Sequence, residues 1–376
     1  MTPYLRAANV KDGSLDLSDV KSMDFSPAEQ STYALRSGDV LVTEGAGSLA
    51  AVGASAVWKG EIEGVVCFQN TLLRLRPRGD TNARYLMWWV RHAYGSGLLA
   101  SVAEGANIYH LGADNVRLLP ASIPDPSAQR AIAYYLDTET ARIDQVVSAR
   151  SRQLGLCAEA RRATLCEALP PAEGNVASRI KRVANLIAGG TPATEEPSYW
   201  GGDDDTPWVA ISDMSGGGSV VSTQKRVTPA GQVAARLRVG EPGTVLLAMY
   251  ASVGATALLG TAAVWNQAIL GITPVRDLAE PRFLRYWLDR LADYWPTVVK
   301  SNTQDNLNAE SVREAPFPSL PVVQQGIIAD RLDEAFAALD RRTSLLTRQI
   351  DLLLERRQAL ITAAVTGQLD IPGVAA

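Results

Sequence analysis

The sequence predicts an α+β protein in which two mixed α/β domains are separated by two long antiparallel coiled-coil helices, with an internal pseudo-twofold repeat. Three observations indicate this fold class. The 376 residues are 47% hydrophobic and 20% charged, a composition typical of folded domains with sizeable cores and not of disordered chains. Short segments of the first half recur in the second half. Each half ends in a long segment whose apolar residues have helical spacing.

The internal repeat consists of matching segments whose separation changes little along the chain. The matching segments are 3–10 with 207–214, 67–77 with 264–274, 84–86 with 282–284, and 129–144 with 325–340. The offset is 204 residues for the first pair and 196 for the last. A nearly constant offset indicates one structural unit that occurs twice in the chain.

Each repeat begins with a mixed part in which apolar runs alternate with turns. The runs that we interpret as buried strands are 38–42, 65–76, 243–247 and 264–273. Residues 85–92 and 283–291 have aromatic residues at helical spacing and predict short helices. Their tryptophans, together with Trp295, are interpreted as core residues rather than as surfaces that stack on bases.

The uncharged stretch 242–275 raises the question of a membrane span. It is interrupted by glycines and by Asn266 and Gln267, whereas a spanning helix needs about 20 consecutive apolar residues. We therefore interpret this stretch as several short buried strands. The N-terminus lacks the charged and then apolar pattern of a signal peptide, so we expect a cytoplasmic protein.

The second long segment carries the most regular pattern in the sequence. From Leu332 to Leu360, spacings of four and three residues alternate, which is the 3.5-residue seam of a coiled coil. A shift of 196 residues leads to a weaker seam in the first half, with Gly155 inside it. The predicted seam residues are Leu136, Ile143, Val147, Leu154, Leu332, Phe336, Leu339, Leu346, Ile350, Leu353 and Leu360.

Two helices with matching stripes can bury them most simply by packing on each other as an antiparallel pair. The alternative is that each helix docks separately on its own domain. Roughly 40 residues at 1.5 Å per residue make each helix about 60 Å long. The predicted boundaries are 1–122 for the first mixed domain, 123–170 for the central helix, 171–318 for the second mixed domain, and 319–376 for the distal helix with the C-terminal tail.

The sequence contains few residues suited to catalysis or metal binding. It has two histidines and three cysteines, and Cys67, Cys157 and Cys166 form no Cys-x-x-Cys pair. A phosphate-binding loop, an amino-methyltransferase motif and a paired-histidine nuclease motif are all absent from the sequence. We therefore predict a non-catalytic chain that binds no metal or cofactor of its own.

Several motifs resemble those of type I restriction-modification specificity subunits. The Gly-Gly-Thr-Pro sequence that begins at Gly189 is similar to the opening of a target recognition domain in that family. The other motifs that carry the resemblance are 199–203 and 207–214 in the second half, 4–13, 68–70, 74–77 and 107–111 in the first half, and 360–370 at the end of the distal helix. The resemblance covers nearly the whole chain.

The resemblance implies a DNA sequence-specificity subunit with two target recognition domains and no catalytic activity. Each domain is expected to read one half of a bipartite double-stranded DNA target, while the helices set the spacer and dock two methyltransferase subunits. Those subunits would bind S-adenosylmethionine, and restriction subunits with translocase and endonuclease activity would join the complex. The alternative function is a non-DNA coiled-coil adaptor that presents two interaction domains. The absent motifs disfavour a free-standing nuclease or methyltransferase.

The charge balance constrains how this chain would bind DNA. The net charge is −4, and residues 1–120 carry 11 basic and 12 acidic side chains, against 13 and 14 in residues 176–318. Because neither region is basic overall, phosphate contacts from this chain alone should give modest affinity, and tight binding should require the methyltransferase partners. Sequence-specific contacts are expected from polar side chains on loops.

The candidate DNA-binding residues are polar side chains in loops between apolar strands. In the second domain they are Thr191, Trp200, Ser212, Asp213, Tyr250, Ser252, Gln267, Thr303, Gln304 and Asn306. In the first domain they are Asn9, Lys11, Glu44, Ser48, Gln69, Asn70, Asn107, Tyr109 and His110. Structural roles are the alternatives: ordinary turn chemistry for 189–192, satisfaction of backbone groups for Gln267, and loop ordering for His110.

Three arginines in the first half invite two interpretations. Arg74, Arg76 and Arg78 alternate with other residues and so predict three cations on one face of a strand. That face is either solvated or a track for DNA phosphates.

The first repeat lacks a segment that the second repeat has. Residues 176–206, which include the Gly-Gly-Thr-Pro motif, have no counterpart before Pro3. Either the chain start was assigned late or cut, or the first domain is naturally reduced.

Overall fold

The structure is a computed structural model that describes residues 1–46, 52–105, 109–171, 178–214, 218–250, 252–298 and 306–374. Contacts divide the chain into two compact units. Unit 1 comprises Met1–Arg152 with Leu346–Ala376, and unit 2 comprises Gln153–Leu345. No helix in the described ranges is long and apolar enough to cross a bilayer. Four predicted site residues lie outside the described residues, namely Ser48, Asn107, Thr303 and Gln304.

Unit 1 contains short strands, four short helices and the first part of a long helix. Its strands are β1 (Thr2–Leu5), β2 (Val10–Lys11), β3 (Ser14–Leu15), β4 (Lys21–Met23), β5 (Val40–Thr43), β6 (Gly45–Ala46), β7 (Ser55–Val57), β8 (Cys67–Phe68), β9 (Leu72–Leu75), β10 (Ala103–Glu104) and β11 (Tyr109–Leu111). Its helices are α1 (Pro27–Tyr33), α2 (Ala83–Gly95), α3 (Leu98–Ser101), α4 (Ala113–Arg117) and the long α5 (Pro126–Ala168), which continues into unit 2. Helix α2 begins where the Asn82 side chain accepts hydrogen bonds from the backbone N–H groups of Arg84 and Tyr85.

Unit 2 has the same kinds of element and a larger central sheet. Its strands are β12 (Ser178–Arg179), β13 (Ala184–Ala188), β14 (Thr206–Val209), β15 (Ser219–Val220), β16 (Lys225–Val227), β17 (Val245–Ala248), β18 (Thr256–Leu259), β19 (Val264–Trp265), β20 (Ile269–Pro274) and β21 (Pro316–Phe317). Its helices are α6 (Ile180–Val183), α7 (Pro229–Ala234), α8 (Pro281–Arg290), α9 (Trp295–Val298), α10 (Ala309–Arg313) and the long α11 (Val322–Val365), which continues into unit 1.

The sheets confirm the internal repeat down to the register of strand pairing. One three-stranded sheet has the order β4-β1-β8 in unit 1 and β16-β14-β19 in unit 2. In both, the central strand is antiparallel to the first strand and parallel to the last. Thr2 pairs with Met23 just as Thr206 pairs with Val227, so both partners are offset by 204 residues. The sheet β7-β5-β9 corresponds likewise to β18-β17-β20.

Strand β13 marks the main difference between the units. It pairs with β20 over five residues at one edge of the central sheet of unit 2, and β15 at the other edge completes the five strands. In the described part of unit 1, β9 pairs with β5 alone. The segment that the first repeat lacks therefore includes an edge strand of the central sheet.

The predicted strands 65–76 and 264–273 are each two strands, which corrects the sequence interpretation. In unit 2, β19 pairs with β14 in one sheet, and β20 pairs with β17 in another. The chain passes from one sheet to the other at Asn266 and Gln267, where the apolar run contains polar residues. The apolar content predicted burial correctly but could not reveal a change of sheet.

The tryptophans predicted to be core residues are buried. Trp88, Trp89, Trp287 and Trp295 retain at most 6% of their surface. The largest core of unit 2 joins α8, β17 and β20 to buried residues of both long helices, such as Leu165 and Leu332.

The long helices pack on each other in each unit, which confirms the predicted helix pair. Helix α5 has 43 residues and α11 has 44, so each is about 65 Å long at 1.5 Å per residue. In unit 1, Leu136 of α5 shares a core with Val365 of α11. The chains run antiparallel in both units, since later residues of α5 meet earlier residues of α11. Of the predicted seam residues, Leu136, Ile143, Leu332, Phe336 and Leu346 are buried, and Val147, Leu154, Leu339, Ile350, Leu353 and Leu360 are half-buried.

Arg74 and Arg76 have structural roles, so neither sequence interpretation holds for them. The Arg74 guanidinium donates to the carbonyls of Thr32 and Ala34 at 3.0 Å. Arg76 donates through Nε and Nη2 to the buried carboxylate of Asp39 at 2.7 and 2.6 Å. This hydrogen bond raises the pKa of Arg76. Both side chains therefore tie β9 to neighbouring segments.

Candidate nucleic-acid interface

In unit 2, the polar loops converge because of how two sheets meet. Strands β14 and β19 are parallel, so their C-terminal ends lie at the same edge. The N–H of Asn266 donates to the carbonyl of Val209 at 3.0 Å and holds these ends together. The N–H of Met249 donates to the carbonyl of Ala268 at 2.8 Å and brings the end of β17 to the same place. We call this edge, with residues 189–193, 210–214, 249–250, 252, 266–268 and 306–307, the polar edge of unit 2.

The Gly-Gly-Thr-Pro motif forms one wall of the polar edge. The N–H of Gly190 donates to the carbonyl of Trp265 at 2.9 Å, and the indole N–H of Trp208 donates to the carbonyl of Gly190 at 3.0 Å. Thr191 then reaches Gln267, to which its hydroxyl donates. A Cβ atom on Gly189 would lie 2.1 Å from the carbonyl oxygen of Asn266, so only glycine fits this approach. The motif brings two predicted site residues into direct contact.

Trp200 lies beside this wall. Its indole N–H donates to the carbonyl of Ala193 at 3.1 Å, and its ring packs edge-on against Trp208 with 5.2 Å between centroids. The Lys225 ammonium lies 5.2 Å from the centre of the Trp200 ring. Lys225 was missed by the sequence analysis, because the contact joins residues that are 25 positions apart in the sequence. It supplies a cation next to the polar edge.

Turns with their own capping interactions lead into the polar edge. The Asp213 carboxylate accepts from the N–H of Ala210 at 2.8 Å and so fixes the turn that carries exposed Ser212. The Glu196 carboxylate accepts from the Ser198 hydroxyl at 2.6 Å and from its backbone N–H. These two hydrogen bonds hold the pKa of Glu196 below its usual value. Asp213 thus has a structural role in addition to its predicted one.

The remaining predicted residues of unit 2 follow the end of β17. Tyr250 is 40% exposed, and Ser252 and Gln267 are exposed. Asn306 is half-buried, and its neighbour Leu307 donates its N–H to the carbonyl of Met249 at 3.1 Å. Thr191, Ser212, Tyr250, Ser252, Gln267 and Asn306 therefore all lie at the polar edge. Donors and acceptors in this arrangement suit hydrogen bonding to base edges.

Unit 1 has an equivalent edge with the same backbone bonds. The N–H of Gln69 donates to the carbonyl of Leu5 at 2.8 Å, as Asn266 does to Val209. The N–H of Leu111 donates to the carbonyl of Glu44 at 2.7 Å, as Leu307 does to Met249. Exposed Asn70 and half-buried Gln69, Glu44 and Tyr109 lie at this edge.

Asn9 does not face solvent, which corrects its prediction as a DNA contact. Its side chain is 3% exposed and accepts from the N–H of Arg6 at 3.1 Å. It also donates to the carbonyls of Asp16 and Asp19 at 2.9 and 3.2 Å. The side-chain amide of Asn9 therefore hydrogen-bonds to the surrounding backbone of unit 1. Lys11, by contrast, is exposed on the β2–β3 hairpin.

His110 lies in a strand, and the described residues hold no metal site. It pairs with Gly45 of β6 and with Glu104 of β10. Groups of three or more metal-ligating side chains were not found in the described ranges.

Taken together, each unit holds a mixed domain with a polar loop edge on a pair of long helices, and this arrangement defines a class of protein with two repeated domains. Comparison with known proteins identifies the family that the second unit resembles. Residues 173–355 match the family described as the type I restriction modification DNA specificity domain.

Curated relatives support the same assignment. The chain is 27% identical over 155 residues to the type I restriction enzyme MjaIX specificity subunit of Methanocaldococcus jannaschii. The aligned residues make up 40% of this chain and 35% of the relative. It is 28% identical over 128 residues to the EcoBI specificity subunit of Escherichia coli, covering 34% of this chain and 27% of the relative. The chain thus spans about a third of the length of these relatives.

A solved structure shows the fold along nearly the whole chain. This structure was solved to explain complex assembly and conformational transition of the type I R-M system. Its chain matches the present one with a TM-score of 0.73 and 19% sequence identity. The match covers 98% of this chain and 92% of that one. With the family match, it confirms the resemblance found in the sequence. Residues 173–355 carry the type I restriction modification DNA specificity domain, and the chain resembles type I restriction-modification specificity subunits.

Proposed function

We propose that this chain selects the DNA sequence for a type I restriction-modification complex. The polar edge of each unit reads one half of a bipartite target in double-stranded DNA. The single observation that carries the proposal is the polar edge of unit 2, which lies inside the segment matched to the DNA specificity family. Two readers on one chain gain affinity because the second binding event is intramolecular.

Catalysis in this proposal belongs to partner proteins. Two methyltransferase subunits bind S-adenosylmethionine and methylate the target, while restriction subunits translocate and cleave DNA in the cytoplasm. In unit 2, the described part of the long helices offers a docking surface, since Leu156 and Leu345 are 59% and 62% exposed. Exposed large apolar side chains are typical of protein interfaces when they cluster. The neutral charge balance fits a subunit whose DNA affinity depends on its partners.

The experiment that tests this function is genome-wide mapping of adenine methylation in cells with and without the chain. We expect one bipartite motif to lose its methylation when the chain is deleted. Unchanged methylation, together with co-purified partners unrelated to DNA, would instead support a coiled-coil adaptor. The adaptor function is supported by the near-equal numbers of basic and acidic side chains in both domains, since DNA-binding surfaces are usually basic.

Gln267→Ala should weaken methylation through one half of the target. Gln267 is exposed at the polar edge and accepts a hydrogen bond from Thr191. One good contact to a base contributes about 1 to 3 kcal/mol of discrimination between bases. We expect roughly a 10-fold loss of methylation rate in the reconstituted complex and relaxed selectivity at one base position. The control is Gln349→Ala, which removes an exposed glutamine from α11. Equal rates and motifs for both variants would exclude Gln267 as a reader.

A further inference from the structure

We propose that two equivalent Arg–Asp pairs fix the register of the long helices and thereby the spacer length of the DNA target. The pairs are Arg357 with Asp144 in unit 1 and Arg161 with Asp340 in unit 2. The part that concerns register stands on the structure alone. The part that concerns the spacer rests on the proposed function.

In unit 1, Arg357 of α11 lies against α5 in a compact charge cluster. Its Nε is 3.2 Å from Oδ1 of Asp144, and its Nη1 is 3.8 Å from Oδ2 of Asp12. Asp12 in turn accepts two hydrogen bonds of 2.9 Å from Arg91, whose side chain is 6% exposed. The Arg357 side chain is only 19% exposed, so its charge depends on these carboxylates.

In unit 2, Arg161 of α5 makes the equivalent contact with α11. Its Nη1 donates to Oδ1 of Asp340 at 2.9 Å. Its guanidinium lies 3.9 Å from the ring centre of Phe336, a residue that is 2% exposed. The charge is thus held between an aromatic face and a carboxylate of the opposite helix.

The two pairs are copies of each other. Arg357 follows Arg161 by 196 residues, and Asp340 follows Asp144 by the same 196, which is the offset of the helical repeat. Within each helix the aspartate precedes the arginine by 17 residues. Both units therefore hold the helices in one antiparallel register.

The apolar seam cannot select this register by itself. In α11 a leucine stands at every seventh position from Leu332 to Leu360, so a slip by one heptad brings another leucine of α11 against the weaker seam of α5. A polar contact at a seam position is sensitive to such a slip, because a misplaced charge loses its partner. The Arg–Asp pairs supply that sensitivity.

The residues one heptad away offer no alternative partner. Toward the C-terminus the corresponding positions are Ser151 and Thr347, which carry no charge. Toward the N-terminus they are Asp137 and Asp333, which are already engaged within their own units. Asp137 accepts from the indole N–H of Trp88 at 2.8 Å, and Asp333 accepts from Arg282 at 2.6 Å and from the Tyr286 hydroxyl. Of these three registers, the observed one places opposite each arginine a carboxylate that has no other partner in the described part of the mixed domains.

The structural test measures the distance between spin labels on the two helices of unit 2. Labels are placed at Ala158→Cys and Ser344→Cys, two exposed positions, after the three native cysteines are replaced by alanine or serine. We expect one narrow distance distribution in the parent. In D144R/D340R we expect a second population at a longer distance, because a slip by one heptad moves the two labels about 10 Å apart along the helix axis.

Two variants make the result specific to the pairs. The full exchange D144R/D340R/R161D/R357D restores opposite charges and should restore the single distance. The control E159R/D351R makes the same charge change at exposed acidic residues of α5 and α11 and should leave the distance unchanged. If D144R/D340R fails to fold, D144N/D340N removes the attraction without adding repulsion. A single, unshifted distance in the folded arginine or asparagine variant overturns the proposal.

The functional readout is the spacer in the methylated motif. A slip of about 10 Å corresponds to about three base pairs of DNA at 3.4 Å each. We expect D144R/D340R to methylate sites with additional spacer lengths, and the full exchange to return to one spacer. A shifted distance with an unchanged spacer would overturn the link to DNA while the register assignment stands. If no methylation depends on the parent chain, the proposed function fails and the label distances still decide the register.

Discussion

Replacing Gly189 by alanine should destabilise unit 2 by about 3 kcal/mol and lower its melting temperature by roughly 6 to 12 °C. The added Cβ would lie 2.1 Å from the carbonyl oxygen of Asn266 and 2.5 Å from Cδ1 of Trp265. Neither neighbour can yield easily, since one is backbone and the other is a tryptophan that is 1% exposed. The loop must therefore leave β19 and lose the bond from Gly190 to Trp265.

The same substitution should remove recognition of one half of the target. Displacement of the loop separates Thr191 from Gln267 and disorganises the polar edge. We expect a methylation rate at least about 100-fold lower in the reconstituted complex, since misplaced readers cost about 1 to 3 kcal/mol for each base contact. Thermal unfolding and methylation assays measure the two effects separately.

Gly202→Ala is the matched control for Gly189→Ala. A Cβ on Gly202 meets no atom within 4 Å, so this variant should keep the stability and activity of the parent. Equal melting temperatures for the two variants would show that the close approach at Gly189 has been misassigned.

The second large effect is expected from Gln325→Ala at the start of α11. The Gln325 side chain is fully buried and donates to the carbonyls of Leu278 and Leu320 at 3.1 and 2.8 Å. It also accepts from the N–H of Glu280 at 2.9 Å, just before α8 begins. Removing it leaves three partly buried backbone groups without this partner, at a cost of about 1 kcal/mol for each lost hydrogen bond. We expect a total loss of about 3 kcal/mol in chemical denaturation.

The repeat supplies an internal comparison for this prediction. Gln129, 196 residues earlier, accepts from the N–H of Asn82 at 2.7 Å and donates to the carbonyl of Pro124 at 2.8 Å. Gln129→Ala should therefore destabilise unit 1 by about 2 kcal/mol. Gln324→Ala removes the exposed neighbour on α11 and should have no measurable effect. A loss no larger for Gln325→Ala than for Gln324→Ala would contradict the anchoring role.

Much of the architecture could be predicted from the sequence because its signals are periodic. The seam that runs from Leu332 to Leu360 repeats every 3.5 residues, and this pattern alone indicates a helix with one buried stripe. The internal repeat can likewise be detected by comparing the sequence with itself, since equivalent segments are separated by nearly the same number of residues. Both predictions are confirmed by α5 and α11 and by the matched sheets.

The roles of individual polar residues could not be predicted in the same way. Asn9 and Gln267 both occupy polar loop motifs, yet Asn9 is buried with three backbone partners and Gln267 is exposed. Arg74 and Arg76 alternate along a strand like surface cations, but they bind carbonyls and a buried carboxylate about 40 residues away. Sequence spacing carries no information about such distant partners.

The sequence by itself determined that the chain contains a repeated mixed domain and two long helices with apolar stripes, because hydrophobic periodicity is a local property of the chain. Only the tertiary structure decided which loops share an edge, which polar residues are buried, and in which register the helices pair. Those outcomes depend on residues that are remote in sequence and adjacent in space, and an apolar seam that repeats every heptad is compatible with more than one register.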